Sequence, residues 1–184
     1  MVPKNRIVIV DDHTLFRKGL KAIIGNDKGF EVTGEAGNAA EGLLLAGEAK
    51  PNIMIIDITL PDKDGIKLTR EIRRDFPEIK IMIVSMHSKT DYIVEAFRSG
   101  ALSYIVKDSA TENLILGLHS VSKGAHYIDN SIAKEVVLGL QDLDYKKKKQ
   151  KQKRRNLKSV ELRKKLPLLK LLPLKLLMKI TTLK

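Results

Sequence analysis

Five residues are of types that could do chemistry if the fold gathered them. Asp11 and Asp12 follow the run RIVIV, Asp57 follows NIMII, Ser85 closes KIMIVS and Lys107 follows SYIV. Alone, each has an ordinary explanation: an aspartate or serine after a strand caps a turn, and a lysine solvates a surface. Together they put three carboxylates opposite a hydroxyl and an ammonium. Clustered carboxylates repel one another unless a cation sits among them, and hard oxygen ligands that keep several waters suit Mg²⁺. A carboxylate beside Mg²⁺ and a lysine is also a nucleophile toward a phosphoryl group, giving an aspartyl phosphate. The metal and the lysine would offset charge on the transferring oxygens.

The elements that must position these residues alternate along the chain. Residues 6–10, 30–36, 52–57, 80–86 and 102–106 are short, β-branched and largely apolar, and predict strands, several of them buried on both faces. Between them, about 13–25, 38–49, 65–75, 88–99 and 110–123 have helix length. Leu43, Leu44 and Ala40 share a helix face, Thr90 is the expected N-cap of the fourth helix, and Gly100 the glycine that ends it. NDKGFE and ITLPDKDG carry turn residues. This alternation predicts an α/β fold, a (βα)5 doubly wound parallel sheet with helices on both faces. Such sheets bind ligands at the carboxyl ends of their strands, where Asp11, Asp12, Asp57, Ser85 and Lys107 are expected.

In combination, IVIVDDH, IMIIDITLPDKDGI, IMIVSMH and GALSYIVKD resemble the motifs of bacterial response-regulator receiver domains over about residues 4–122. The resemblance implies a flavodoxin-like, CheY-like receiver. It implies that Asp57 is the phosphoacceptor and that Asp11, Asp12 and Asp57 hold Mg²⁺ with the backbone carbonyl of Thr59. Ser85 resembles the switch hydroxyl, Lys107 the lysine that pairs with the phosphoryl group, and Tyr104 the aromatic switch that turns inward. Pro61 and Gly65 match the loop after the phosphoacceptor. His13 after the acidic pair, Asp108 after Lys107, and the stretch from Tyr104 to Val137 narrow the likeness to the NarL/FixJ (LuxR-type) subfamily. The histidines His13, His87, His119 and His126 lack ligand-like spacing and read as surface or packing residues.

Net charge is +12, but it is unevenly placed: residues 1–145 carry 18 Lys/Arg against 21 Asp/Glu, and residues 146–184 carry 16 against 1. A run such as YKKKKQKQKRR is ordinarily solvated. Cysteine is absent, which excludes disulfides, thiolate metal sites and a cysteine nucleophile. The first residues do not form a signal peptide, and lysines interrupt the leucine-rich end too often for a bilayer span. The family's DNA-binding domain, with its helix-turn-helix, is not visible after residue 145. LKSVELRKKL is a faint echo of its start, and no glycine follows Gly139. Three readings fit residues 146–184: a truncated or frameshifted remnant, a cationic amphipathic segment lying on membranes, and non-specific nucleic-acid contact. Pro167 and Pro173 oppose one continuous helix there.

The expected organisation is a receiver over 1–123, a linker helix over 124–145 and a basic Lys/Leu-rich tail over 146–184. The expected function is a cytoplasmic response regulator, not an enzyme, that takes a phosphoryl group from a sensor histidine kinase onto Asp57. Homodimerisation and DNA binding follow from the resemblance. The alternative is a stand-alone receiver acting through protein contacts or as a phosphate sink. A phosphohydrolase-like enzyme ranks last, because Thr59 stands where Asp-x-Asp would need an aspartate.

Overall fold

Runs of β-branched residues without polar alternation form strands only where both faces are covered, and that is where they lie here. The computed structural model describes residues 4–133 and 136. The chain divides into two units, Met1–Gly139 and Leu140–Lys184, and every described residue belongs to the first. Five strands, β1 (Asn5–Val10), β2 (Phe30–Ala36), β3 (Ile53–Ile56), β4 (Lys80–Ser85) and β5 (Ser103–Val106), alternate with five helices. These are α1 (Thr14–Gly25), α2 (Ala39–Ala49), α3 (Gly65–Asp75), α4 (Thr90–Arg98) and α5 (Ala110–Ser122). A sixth strand, β6 (Tyr127–Ile128), follows. The order is β2-β1-β3-β4-β5-β6, and every pair is parallel. The expected (βα)5 doubly wound fold is therefore observed, with β6 as an added edge.

Alternate residues of the strands feed two cores, as a period of two requires. Val8, Val10, Met54, Ile56, Ile81 and Ile83 pack with Ile66, Leu68, Ile72 and Ile93 of α3 and α4. On the opposite face, Ile7, Ile9, Ile53, Ile55, Met82 and Val84 pack with Leu20, Ile24, Leu114 and Leu118 of α1 and α5. Each fully buried aliphatic side chain contributes about 1.5–3 kcal/mol, so the central strands anchor everything at their ends. β2, the edge strand, alternates between buried and accessible residues instead.

Helix ends follow local chemistry. Asn38 caps α2 by accepting from the Glu41 amide, and Asp64 caps α3 by accepting from the Ile66 and Lys67 amides. Asp62 reaches across to accept from the Ala39 and Ala40 amides, which holds its carboxyl below the usual range. Gly100, at φ +100°, ends α4 as expected. Thr90 opens that helix rather than capping it; the cap position is Lys89, whose side chain makes no capping bond.

The stretch from 124, expected as a linker helix, begins differently. Tyr127 and Ile128 pair with Ser103 and Tyr104, and helical backbone starts only at residue 130. Two amide–carbonyl bonds tie this stretch alongside β5, from Tyr127 to Leu102 just before that strand and from Asp129 to Tyr104 within it. Residues 134, 135 and 137–145 of the expected linker, and the basic segment 146–184 with its three readings, lie outside the described residues. Among the described residues, no helix is long and apolar enough to cross a membrane.

Candidate functional site

The chain leaves β1 for β2 on one side and reaches β3 on the other, so the loops after β1 and β3 diverge and leave a crevice. Asp11 enters it directly after β1, its amide donating to the Ala36 carbonyl at 3.1 Å. Asp57 enters after β3, its amide donating to the Val10 carbonyl at 2.9 Å. Both aspartates are buried, at 2% and 3% exposure. Lys107 opens a 3-10 turn, Lys107–Ser109, directly after β5. Its Nζ lies 2.7 Å from Asp11 Oδ2 and 2.7 Å from Asp57 Oδ2, and 4.6 Å from the centroid of the Phe16 ring. The aromatic face adds to the attraction that holds the ammonium in place.

Asp12 lies at the rim. Asp11, Asp12, His13 and Asp57 each offer a ligand atom within 4.8 Å of the others. Three carboxylates and one ammonium leave this edge two charges negative when ionised, so it suits a hard divalent cation that keeps water on its open side. Arg17 supports the edge from α1, its guanidinium donating to the Asp11 carbonyl oxygen.

Ser85, fully buried, ends β4, and its Oγ accepts from the His87 amide at 3.4 Å. Tyr104 lies beneath, and its hydroxyl donates to the His87 carbonyl at 2.7 Å. Burial pushes that phenol above its ordinary pKa, so it stays a donor. The ring is thus already inward in this structure. The Thr59 amide donates to Asp57 Oδ1 at 3.3 Å, and its hydroxyl meets His87 Nε2 at 3.2 Å.

Asp11, Asp57 and Lys107 are thus in direct contact, Asp12 and Thr59 adjoin them, and Ser85 and Tyr104 share one loop residue. Two histidines read as surface or packing residues prove closer to the chemistry. His13 Nδ1 lies 2.6 Å from Asp12 Oδ1 and 3.2 Å from Asp11 Oδ1. His87 stacks on Tyr92 at 4.2 Å while touching Thr59, Ser85 and Tyr104. His13 was marked in the sequence only as a subfamily feature after the acidic pair, and His87, two residues after Ser85, had no signature. The other two histidines do pack, His119 against Phe30 and Asp27, and His126 against Phe97.

Removing Lys107 should show what it holds down. Lys107→Ala leaves two buried carboxylates facing each other, so unfolding in urea without divalent cation is expected to lose about 3 kcal/mol. Saturating Mg²⁺ should restore part of the loss.

Comparison with known proteins agrees with this geometry. Residues 7–119 match the response regulator receiver domain family. The oxygen regulatory protein NreC of Staphylococcus haemolyticus is 34% identical over 72% of this chain and 61% of its own length. The DNA-binding transcriptional activator DevR/DosR of Mycobacterium tuberculosis is 32% identical over 70% of this chain and 59% of its own. The chain therefore spans about three fifths of the length of these relatives. A crystal structure of a LuxR-family two-component response regulator from Aurantimonas sp. superposes with a TM-score of 0.71 at 33% identity, covering 74% of this chain and 98% of that one. With the acidic crevice, its buried lysine and the sheet order in agreement, the chain belongs to the response regulator receiver family, among relatives of the NarL/LuxR type.

Proposed function

We propose that this protein is a phosphorylation-operated switch of a two-component system and that Asp57 is its phosphoacceptor. A receiver domain is a phosphoacceptor rather than a classical enzyme. The observation that carries the assignment is the Asp57 carboxylate, 3% exposed, held 2.7 Å from the Lys107 ammonium at the floor of an acidic crevice. A carboxylate oxygen of Asp57 attacks the phosphorus of a phosphohistidine on a sensor histidine kinase. The P–N bond breaks, the ring nitrogen keeps the electron pair, and an acyl phosphate forms. Asp11, Asp12, Asp57 and the backbone carbonyl of Thr59 would hold Mg²⁺, which when bound neutralises charge on the phosphoryl oxygens.

The new phosphoryl group carries about two negative charges, by analogy with other phosphorylated side chains. Lys107 then pairs with it, and Ser85 turns its hydroxyl toward it. Ser85 and Tyr104 both bond the backbone of His87, so a shift of Ser85 passes to Tyr104 and to the face of α4 and β5. In this reading residues 1–123 are the receiver, 124–145 the linker and 146–184 a basic tail, in a cytoplasmic protein. The output is control of transcription, as the names of the relatives suggest, with homodimerisation on phosphorylation and contact with DNA. The composition of residues 146–184, 16 Lys/Arg to 1 Asp/Glu with no glycine, favours a second reading. In it the receiver acts through protein contacts or as a phosphate sink.

Incubation with acetyl phosphate and Mg²⁺ tests the proposal. One phosphoryl group per chain is expected by intact-mass measurement, and chelation of the metal before mixing should suppress it. Uptake that persists in excess chelator would overturn the metal-assisted mechanism.

A further inference from the structure

We propose that Asp129 is a positioning residue for Lys107, clamping the turn that carries the lysine to the segment that leaves the receiver sheet. The inference rests on the reading of Asp57 as phosphoacceptor. Asp129 has no exposed surface. A carboxylate so placed is tolerated only where donors surround it, and four do. Oδ1 accepts from the Ser131 amide at 2.9 Å and from Asn113 Nδ2 at 3.3 Å. Oδ2 accepts from the Val106 amide at 3.4 Å and from the Ser109 hydroxyl.

The division between the two oxygens carries the argument. A helix cap needs one oxygen, and Oδ1 supplies it to the helical backbone that starts at residue 130. Oδ2 is spent on Val106, directly before Lys107, and on Ser109, two residues after it, whose hydroxyl also lies 3.0 Å from the Val106 carbonyl. The β5–β6 pairing ends at Tyr104 and Ile128. The Val106 amide beyond it takes the Asp129 side chain as acceptor where a further strand residue would have served. Packing holds part of this side, since Ile132 and Val136 are buried in the same apolar cluster as Val106 and Tyr104. A cleft of about 380 Å³, lined by Ser88, Val106, Asp108, Ser109, Ser131 and Ile132, separates the lysine turn from the helical segment. The carboxylate therefore fixes both flanks of the residue whose Nζ reaches Asp11 and Asp57. Ordering at the site and ordering of the segment after β6 are linked through it, and linkage is reciprocal.

The test compares the full chain with Ser109→Ala, Ser109→Thr and Asp129→Asn during phosphoryl uptake from acetyl phosphate with Mg²⁺. Ser109→Ala and Asp129→Asn are expected to slow uptake by about threefold to tenfold, the cost of a misplaced lysine. Ser109→Thr, which keeps the hydroxyl, should restore the rate. Ser109→Ala removes one of four donors to a buried carboxylate and should lower the urea midpoint, so uptake is compared without denaturant and per folded molecule, and rescue by Ser109→Thr separates positioning of Lys107 from loss of fold. Amide exchange gives the reciprocal reading: phosphorylation should slow exchange at residues 106–109 and 129–132 in wild type, and less so in Ser109→Ala. Unchanged uptake in Ser109→Ala, or slowed uptake that Ser109→Thr fails to restore, would overturn the inference and leave Asp129 as a helix cap. A wild type that takes up no phosphoryl group overturns the reading of Asp57, and this inference with it.

Discussion

Asp57→Asn is expected to abolish phosphoryl uptake from acetyl phosphate and to leave the protein folded. The amide has nearly the shape of the carboxylate, but its single oxygen can serve either the Thr59 amide, which now donates to Oδ1 at 3.3 Å, or the Lys107 ammonium, 2.7 Å from Oδ2. It lacks the anionic oxygen that attacks phosphorus, so the step loses its nucleophile rather than slowing by degrees. Stability should move little, because relief of carboxylate repulsion is set against the lost contact with Lys107. Lys107 keeps its 2.7 Å contact with Asp11, and one of three mutually repelling carboxylates has lost its charge. A urea midpoint close to that of wild type, together with no added phosphoryl mass, is the expected pair of results. Labelling that survives would move the acceptor to Asp11 or Asp12 and sink the site assignment.

Gly65→Ala is expected to cost about 3 kcal/mol or more, the upper end of what overpacking costs, because the clash is with backbone. The reason is space rather than backbone conformation. A Cβ at Gly65 would stand 1.9 Å from the carbonyl oxygen of Asp57, 2.8 Å from its carbonyl carbon and 2.9 Å from Ile58 Cα. All three are backbone atoms of the segment that carries the phosphoacceptor, and none can rotate away. The start of α3 would have to retreat, weakening the 2.8 Å bond from the Gly65 amide to the Ile58 carbonyl. Whatever fraction stays folded should also take up phosphoryl more slowly, because Asp57 moves with its own carbonyl. Urea unfolding of the variant measures the first effect, and uptake kinetics the second. A loss under about 1 kcal/mol would mean that the α3 start yields more easily than close-packed interiors normally do.

Gly65 shows how legibility divides in this protein. Its place after ITLPDKD marked it by resemblance, yet nothing local says that a helix start approaches a strand-end carbonyl that closely. The same holds for β6. The chain from 124 to 128 has neither the length nor the apolar run of a strand, and it becomes one because β5 presents an open edge. His13 and His87 lacked any spacing that marks ligands, and they matter because loops from different strands meet. Tyr104 was expected to turn inward and is found inward already, its hydroxyl on a carbonyl two residues after Ser85.

The sequence by itself determined the five strands and five helices, the parallel doubly wound order, and the delivery of Asp11, Asp12, Asp57, Ser85 and Lys107 to strand ends. Periodicity and turn residues act over a few neighbours, and burial on both faces writes itself into each strand as an unbroken apolar run. Tertiary structure alone decided the 2.7 Å contacts of Lys107 with two aspartates, the tight seat of Gly65, the sixth strand and the four donors around Asp129. Apart from the local bond from Ser131, these join residues 7 to 96 positions apart or depend on a strand register, and such pairings are set by the packing of the whole sheet rather than by any local run.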